Sequence, residues 1–169
     1  IPTLGFYRFW AKTKLRRHFW SSVKLDGESF EYTGTPKELL IGFFVALIVF
    51  LPMILIMTGV SFLAASDPDF RIVFGITYFI FITLFSFLSF YAFFAARRYR
   101  MSRTVFRGIR GAMIGKPSAY ALRGMRMILL SALTLGIATP YAEIPVTRYL
   151  VKNSRFGNQD FDCPSLHGG

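Results

Sequence analysis

Few side chains in this 169-residue sequence are spaced to do chemistry. Glu143 stands out, because Ala138-Thr-Pro-Tyr-Ala-Glu143-Ile-Pro-Val146 places a carboxylate beside an otherwise apolar stretch. An ionisable group held within a membrane is a functional candidate by default, with Arg126 or Arg123 as its partner across a turn. Set at the water boundary near a helix start, the same carboxylate simply complements the helix dipole. Both readings stand on sequence. His18 and His167 are too far apart and too isolated to suggest zinc, and Cys163 has neither a base beside it nor a disulfide partner in the chain. His-Glu-x-x-His, Gly-x-Ser-x-Gly, the Walker loop and the dinucleotide-binding glycine fingerprint do not occur. No catalytic residue, metal set or cofactor is expected. Gly111-Ala-Met-Ile-Gly115 matches the GxxxG spacing, but it sits in a basic connector where a helix-dimer reading has no context.

A second kind of chemistry belongs to cations interleaved with aromatic rings. Phe6–Trp20, FYRFWAKTKLRRHFW, alternates the two. Trp and Tyr favour the headgroup level of a bilayer, and Lys and Arg reach from there toward phosphates. The candidate headgroup contacts are Arg8, Trp10, Lys12, Arg16, Arg17 and Trp20, joined by Arg97, Arg98, Arg100 and Arg148. Ordinary anchoring on the cytoplasmic side accounts for the pattern as well as specific lipid recognition does.

Such residues need elements to hold them, and the charge map supplies these. The chain is 53% hydrophobic with 20 Phe, and carries 20 basic against 9 acidic residues for a net charge of +11. That hydrophobicity excludes disorder. Residues 39–66 form one uncharged run and residues 72–96 another. Each exceeds the ~20 residues needed to cross a bilayer, and a chain this short cannot shield two such helices from water. The runs also argue against a soluble nucleic-acid binder, despite the basic charge. Ser66-Asp67-Pro68-Asp69-Phe70-Arg71 makes a tight polar return, and Pro52 should kink the first helix. Residues 1–38 carry seven Lys and Arg, residues 97–126 nine and residues 148–155 three, whereas the return carries Arg71 alone. Basic flanks stay cytoplasmic, which puts loop 66–71 in the periplasm.

A third apolar stretch, residues 127–142, is only 16 long and basic on both flanks. Gly136, Thr139 and Pro140 favour a break, with Thr139 as N-cap. The expectation is a re-entrant or interfacial helical hairpin, entering through 118–135, turning near 136–139 and returning through 140–152; a conventional third crossing is the alternative. Asp26-Gly27 reads as a two-residue turn that opposes Val23 to Phe30 and Ser21 to Tyr32. Gly157-Asn158 reads likewise, opposing Ser154 to Phe161 and Arg155 to Asp160. Internal repeats are expected from matches at an offset of 81 (Arg16-Arg17 with Arg97-Arg98, Gly27 with Gly108, Pro36 with Pro117) and of 131 (Thr3-Leu4-Gly5 with Thr134-Leu135-Gly136).

The fold class is therefore all-α integral membrane: a transmembrane helical hairpin plus a re-entrant or interfacial helical hairpin, with short cytoplasmic β-hairpins and internal repeats. Along a single membrane domain, 1–22 is an interfacial basic helix, 23–34 a β-hairpin, 39–65 and 70–96 transmembrane helices, 97–117 a basic connector, 118–152 the helical hairpin and 153–162 a second β-hairpin.

Residues 3–44, with Thr-Leu-Gly, an aromatic-Trp-Ala step, paired arginines, the Asp-Gly hairpin and Thr-Gly-x-x-x-Glu-Leu, resemble the YjgN-like family of uncharacterised bacterial inner-membrane proteins. The echo at 134–157 is similar to the family's second copy, but Glu143 and Pro145 stand where the first copy has Lys12 and Lys14, so one role for both copies is not implied. The resemblance implies a multipass, internally repeated membrane fold of the bacterial inner membrane and supplies no activity. It also leads us to expect further helices on both sides of the sequence; no cleavable signal peptide is visible in residues 1–30. Function is expected to be non-catalytic: a lipid-binding, scaffold or accessory module, whose partners are anionic headgroups and a larger membrane complex or further copies of itself, not nucleic acid. The alternative is a transporter of small solutes or ions using the broken helix near Glu143.

Overall fold

In a computed structural model of the protein, residues 7–160 are described. The chain opens with α1, Tyr7–Ser22, and reaches α2, Pro36–Ser66, through three two-residue strands: β1 Lys24–Leu25, β2 Glu28–Ser29 and β3 Glu31–Tyr32. Thr35 caps α2: its hydroxyl accepts from the Glu38 N–H, the Glu38 carboxylate accepts from the Thr35 N–H, and Pro36 stands in the first turn. The reciprocal pair satisfies two donors that a helix start otherwise leaves open. Helix α2 runs unbroken through Pro52. It ends at Asp67, a 3₁₀ turn spans Pro68–Phe70, and α3 covers Arg71–Ser102. The two helices pack as an antiparallel pair, with Phe50 and Phe85 meeting edge-on at 5.2 Å. Both are long and apolar enough to cross a membrane.

The expected connector 97–117 is not a connector. Residues 97–102 extend α3, and the chain then forms β4, Thr104–Phe106, and β5, Ile109–Met113, across a turn in which Arg107 (φ 51°) and Gly108 (φ 74°) are both left-handed. Two consecutive positive φ values match the twist of a hairpin, normally at the cost of requiring Asn, Asp or Gly. The Gly111–Gly115 spacing falls on β5 and the bend after it, where a side-chain carbon at Gly111 would sit 2.8 Å from the Met101 carbonyl oxygen.

Helix α4, Pro117–Leu133, and helix α5, Thr139–Lys152, follow, then β6, Ser154–Phe156, and β7, Gln159–Asp160. β1 and β2 form a two-stranded sheet of their own, while the other strands assemble as one meander in the order β3-β4-β5-β6-β7, which holds β3 and the second expected hairpin, β6–β7, in one sheet. Lys24 faces Ser29 and Leu25 faces Glu28, the Asp-Gly register expected for the first hairpin. The Ser21–Tyr32 pair does not form: Ser21 is still helical, and Tyr32 pairs with Thr104. Arg155 faces Asp160 as expected, while Phe161 lies outside the described residues.

Helices α4 and α5 make an antiparallel hairpin rather than one continuous rod. Leu135 (φ 49°) and Gly136 (φ 90°) reverse the chain, and the Thr139 hydroxyl donates to Ser131 at 3.0 Å across the turn. The N-cap is Ala138, not Thr139, because the Thr139 side chain is committed to that bond. Met113 pairs with Ser154, which places both ends of the α4–α5 hairpin together, just as Tyr32 and Thr104 join both ends of α2–α3.

The core sits where these ends meet. Phe94, Met113, Tyr120, Val146 and Leu150 are buried, with Phe90, Met101, Met127 and Tyr149 packed around them. The long apolar helices project from this base, and α2 buries no residue along its length.

Candidate functional site

The base gathers the polar side chains. Glu38, fixed by its role in the cap of α2, accepts from the Tyr99 hydroxyl at 2.8 Å and pairs with the Arg103 guanidinium. One carboxylate thus ties the start of α2 to the end of α3. A second tie is Arg107, at the β4–β5 turn, whose Nε donates to Glu28 at 3.1 Å and whose guanidinium lies 3.9 Å from Asp26. A third is the Trp20 indole, which donates to the Thr104 hydroxyl at 3.1 Å.

Beside these ties, and joined to Glu38 through Tyr99, lies a cluster rich in cations. Arg16 donates to the Tyr32 hydroxyl at 3.3 Å, and Trp20 meets the Tyr32 ring edge-on. Arg100, beyond the apolar part of α3, is held below the ordinary arginine value by burial first and then by repulsion from Arg16 and Arg97. The Arg97 Nε is buried without a hydrogen-bond partner among the described residues. Arg16 and Arg100 therefore crowd one phenol, with Arg97 repelling Arg100 from the same helix, an arrangement that an incoming anion relieves.

Of the residues singled out on sequence, Arg16, Arg97, Arg100 and Trp20 come together here. Arg17 turns aside to donate to the Gly34 carbonyl at 3.3 Å. Arg8, Trp10, Lys12, Arg98 and Arg148 are exposed and spread over the surface of the helices. His18 is exposed on α1, and Cys163 and His167 lie outside the described residues. Glu143 does not pair with Arg126 or Arg123. It is exposed on α5, and neither an ion pair nor a hydrogen bond joins it to either arginine. Helix α5 turns Tyr141, Ala142 and Pro145 toward α4, which leaves Glu143 on another face.

Sequence reasoning missed Glu38, Tyr32 and Arg107. Thr35-x-x-Glu38 ahead of an apolar run was a readable capping signature. Nothing local announced Tyr32 or Arg107, whose partners lie 16 and 79 residues away.

Two cavities flank α4. One, of about 320 Å³, opens between α4 and α5 and is lined by Arg123, Arg126, Met127, Leu130, Tyr141 and Pro145, among others. The other, of about 420 Å³, lies between α3 and α4 against Phe85, Phe90, Phe93, Tyr120 and Ile128.

The model of a bacterial protein family of unknown function, DUF898, matches residues 1–168. The chain belongs to DUF898. No curated protein and no solved structure matches this DUF898 chain.

Proposed function

We propose that this DUF898 chain is a non-catalytic, multipass module of the bacterial inner membrane, with the internally repeated build implied by its YjgN-like residues, that grips anionic lipid headgroups through its base and serves as a scaffold or accessory unit of a larger assembly. The observation that carries this reading is the meeting of Arg16 and Arg100 at Tyr32, with Arg97 close enough to repel Arg100. The exposed apolar length of α2 and α3 supports it, since a soluble chain rarely leaves an apolar surface of that size uncovered. In this reading α2 and α3 cross, the α4–α5 hairpin dips into the cytoplasmic leaflet, the sheet lies in the cytoplasm and loop 66–71 faces the periplasm. Polybasic segments gain about 1 kcal/mol per Lys or Arg from an anionic leaflet. Transport through the broken helix draws less support, because Glu143 lines neither cavity.

The test is reconstitution of the chain in nanodiscs of mixed phosphatidylglycerol and phosphatidylcholine, with the retained lipid counted by mass spectrometry. Enrichment of the anionic lipid, reduced about fivefold by Arg16→Gln or Arg100→Gln, is the expected result. Equal retention of both lipids by the unaltered chain would overturn the reading.

A further inference from the structure

The cleft between α4 and α5 has two unlike ends. Arg123 and Arg126 stand at the end near the base, and Met127, Leu130 and Tyr141 continue toward the turn. Arg123 is already oriented: it donates to the Ala119 carbonyl at 2.8 Å and lies 4.2 Å over the Tyr149 ring. Neither contact neutralises it. Arg126 is exposed, and among the described residues it makes no ion pair or side-chain hydrogen bond. At the far end, Leu133, Leu135 and Ile137 are 73%, 94% and 82% exposed, among the barest large apolar side chains of the molecule.

The spacing converts this polarity into a depth. Seven residues of helical rise separate Arg126 from Leu133, the end of α4, and ten separate Arg123 from it, about 10 and 15 Å. Half of a ~30 Å hydrocarbon core is about 15 Å. With the tip near mid-bilayer, the two guanidinium groups stand at the level of the phosphates, and the cleft runs from headgroup to acyl depth. A free anion would use only the charged end and leave the apolar walls bare. An amphiphile uses both.

We propose that this cleft holds one anionic glycerophospholipid, its phosphate between Arg123 and Arg126 and an acyl chain along Met127, Leu130 and Tyr141. The site rests on the membrane reading above and adds to it a single defined lipid, distinct from the arginine cluster around Tyr32. The cavity on the other side of α4 has comparable apolar walls without a cation. It serves as an internal comparison, open to acyl chains without charge selection.

The experiment uses the chain in nanodiscs doped with phosphatidylglycerol or phosphatidylcholine carrying a photoactivatable acyl chain, with cross-links mapped by mass spectrometry. The expected result is labelling of Met127, Leu130 or Tyr141 by the anionic probe, reduced about fivefold by Arg126→Gln and largely restored by Arg126→Lys. Arg126 has no structural partner to lose, so the variant folds. Labelling that is equal for the two probes, unchanged in Arg126→Gln, or no stronger in the cleft than along α2 overturns the site. Resistance to alkaline carbonate extraction in parallel separates the two claims. An integral protein with an unlabelled cleft refutes only this site, whereas a chain monodisperse without detergent refutes the membrane reading itself.

Discussion

At the scale of residues, Glu38 has more partners than any other carboxylate of the base. It caps α2 through Thr35 and takes donors from Tyr99 and Arg103. Its side chain is about one-third exposed, so solvent screens part of the charge. Removing it with Glu38→Ala leaves Arg103, whose Nε already lacks a partner, without its counter-ion, and opens the helix start. The expected loss is about 1–2 kcal/mol, read as a lowered unfolding midpoint in detergent. Glu38→Gln keeps the capping bond and should lose less. The capping box was legible because it is local: Thr, Pro and Glu within four residues ahead of an apolar run. The Glu143–Arg126 pair was inferred from the expected hairpin, and it failed because the rotation of α5 about its axis is set by packing of Ala142, Val146 and Leu150, all buried.

At the scale of elements, length and turn chemistry carried most of the reading. Two uncharged runs longer than a bilayer needs became α2 and α3, and Asp-Gly fixed the Lys24–Ser29 register without help from the rest of the chain. The turn at Arg107-Gly108 escaped notice because arginine gives no hint of a left-handed backbone. Helix α4 packs tightly on α3 at Gly124, where an added side-chain carbon would lie 2.6 Å from the Phe90 ring. Phe90 packs on the core through Tyr120, so it has little room to yield. Gly124→Val should therefore wedge α3 from α4 and lower the unfolding midpoint by several degrees. Leu122→Val, at an exposed site on the same helix, should leave it nearly unchanged.

At the scale of the whole molecule, the sheet is what local patterns could not foretell. Its β3–β4 pairing joins residues 31 and 105, with both long helices between them. Single-cysteine labelling in a Cys163→Ser background tests the arrangement that follows. A membrane-impermeant maleimide added from the periplasm should modify Asp67→Cys and spare Ser29→Cys and Asn158→Cys, all three placed at exposed positions. Modification of Ser29→Cys or Asn158→Cys with Asp67→Cys spared would invert the orientation.

That same seam makes the fold check its own threading. In the membrane reading proposed above, a nascent chain whose second long helix failed to come back would strand β4 across the bilayer from β3, and no later rearrangement within one leaflet could unite them. Closure of the meander would then be available only to correctly inserted molecules, and β6 and β7 would leave the ribosome after α2 to α5 had each taken their direction.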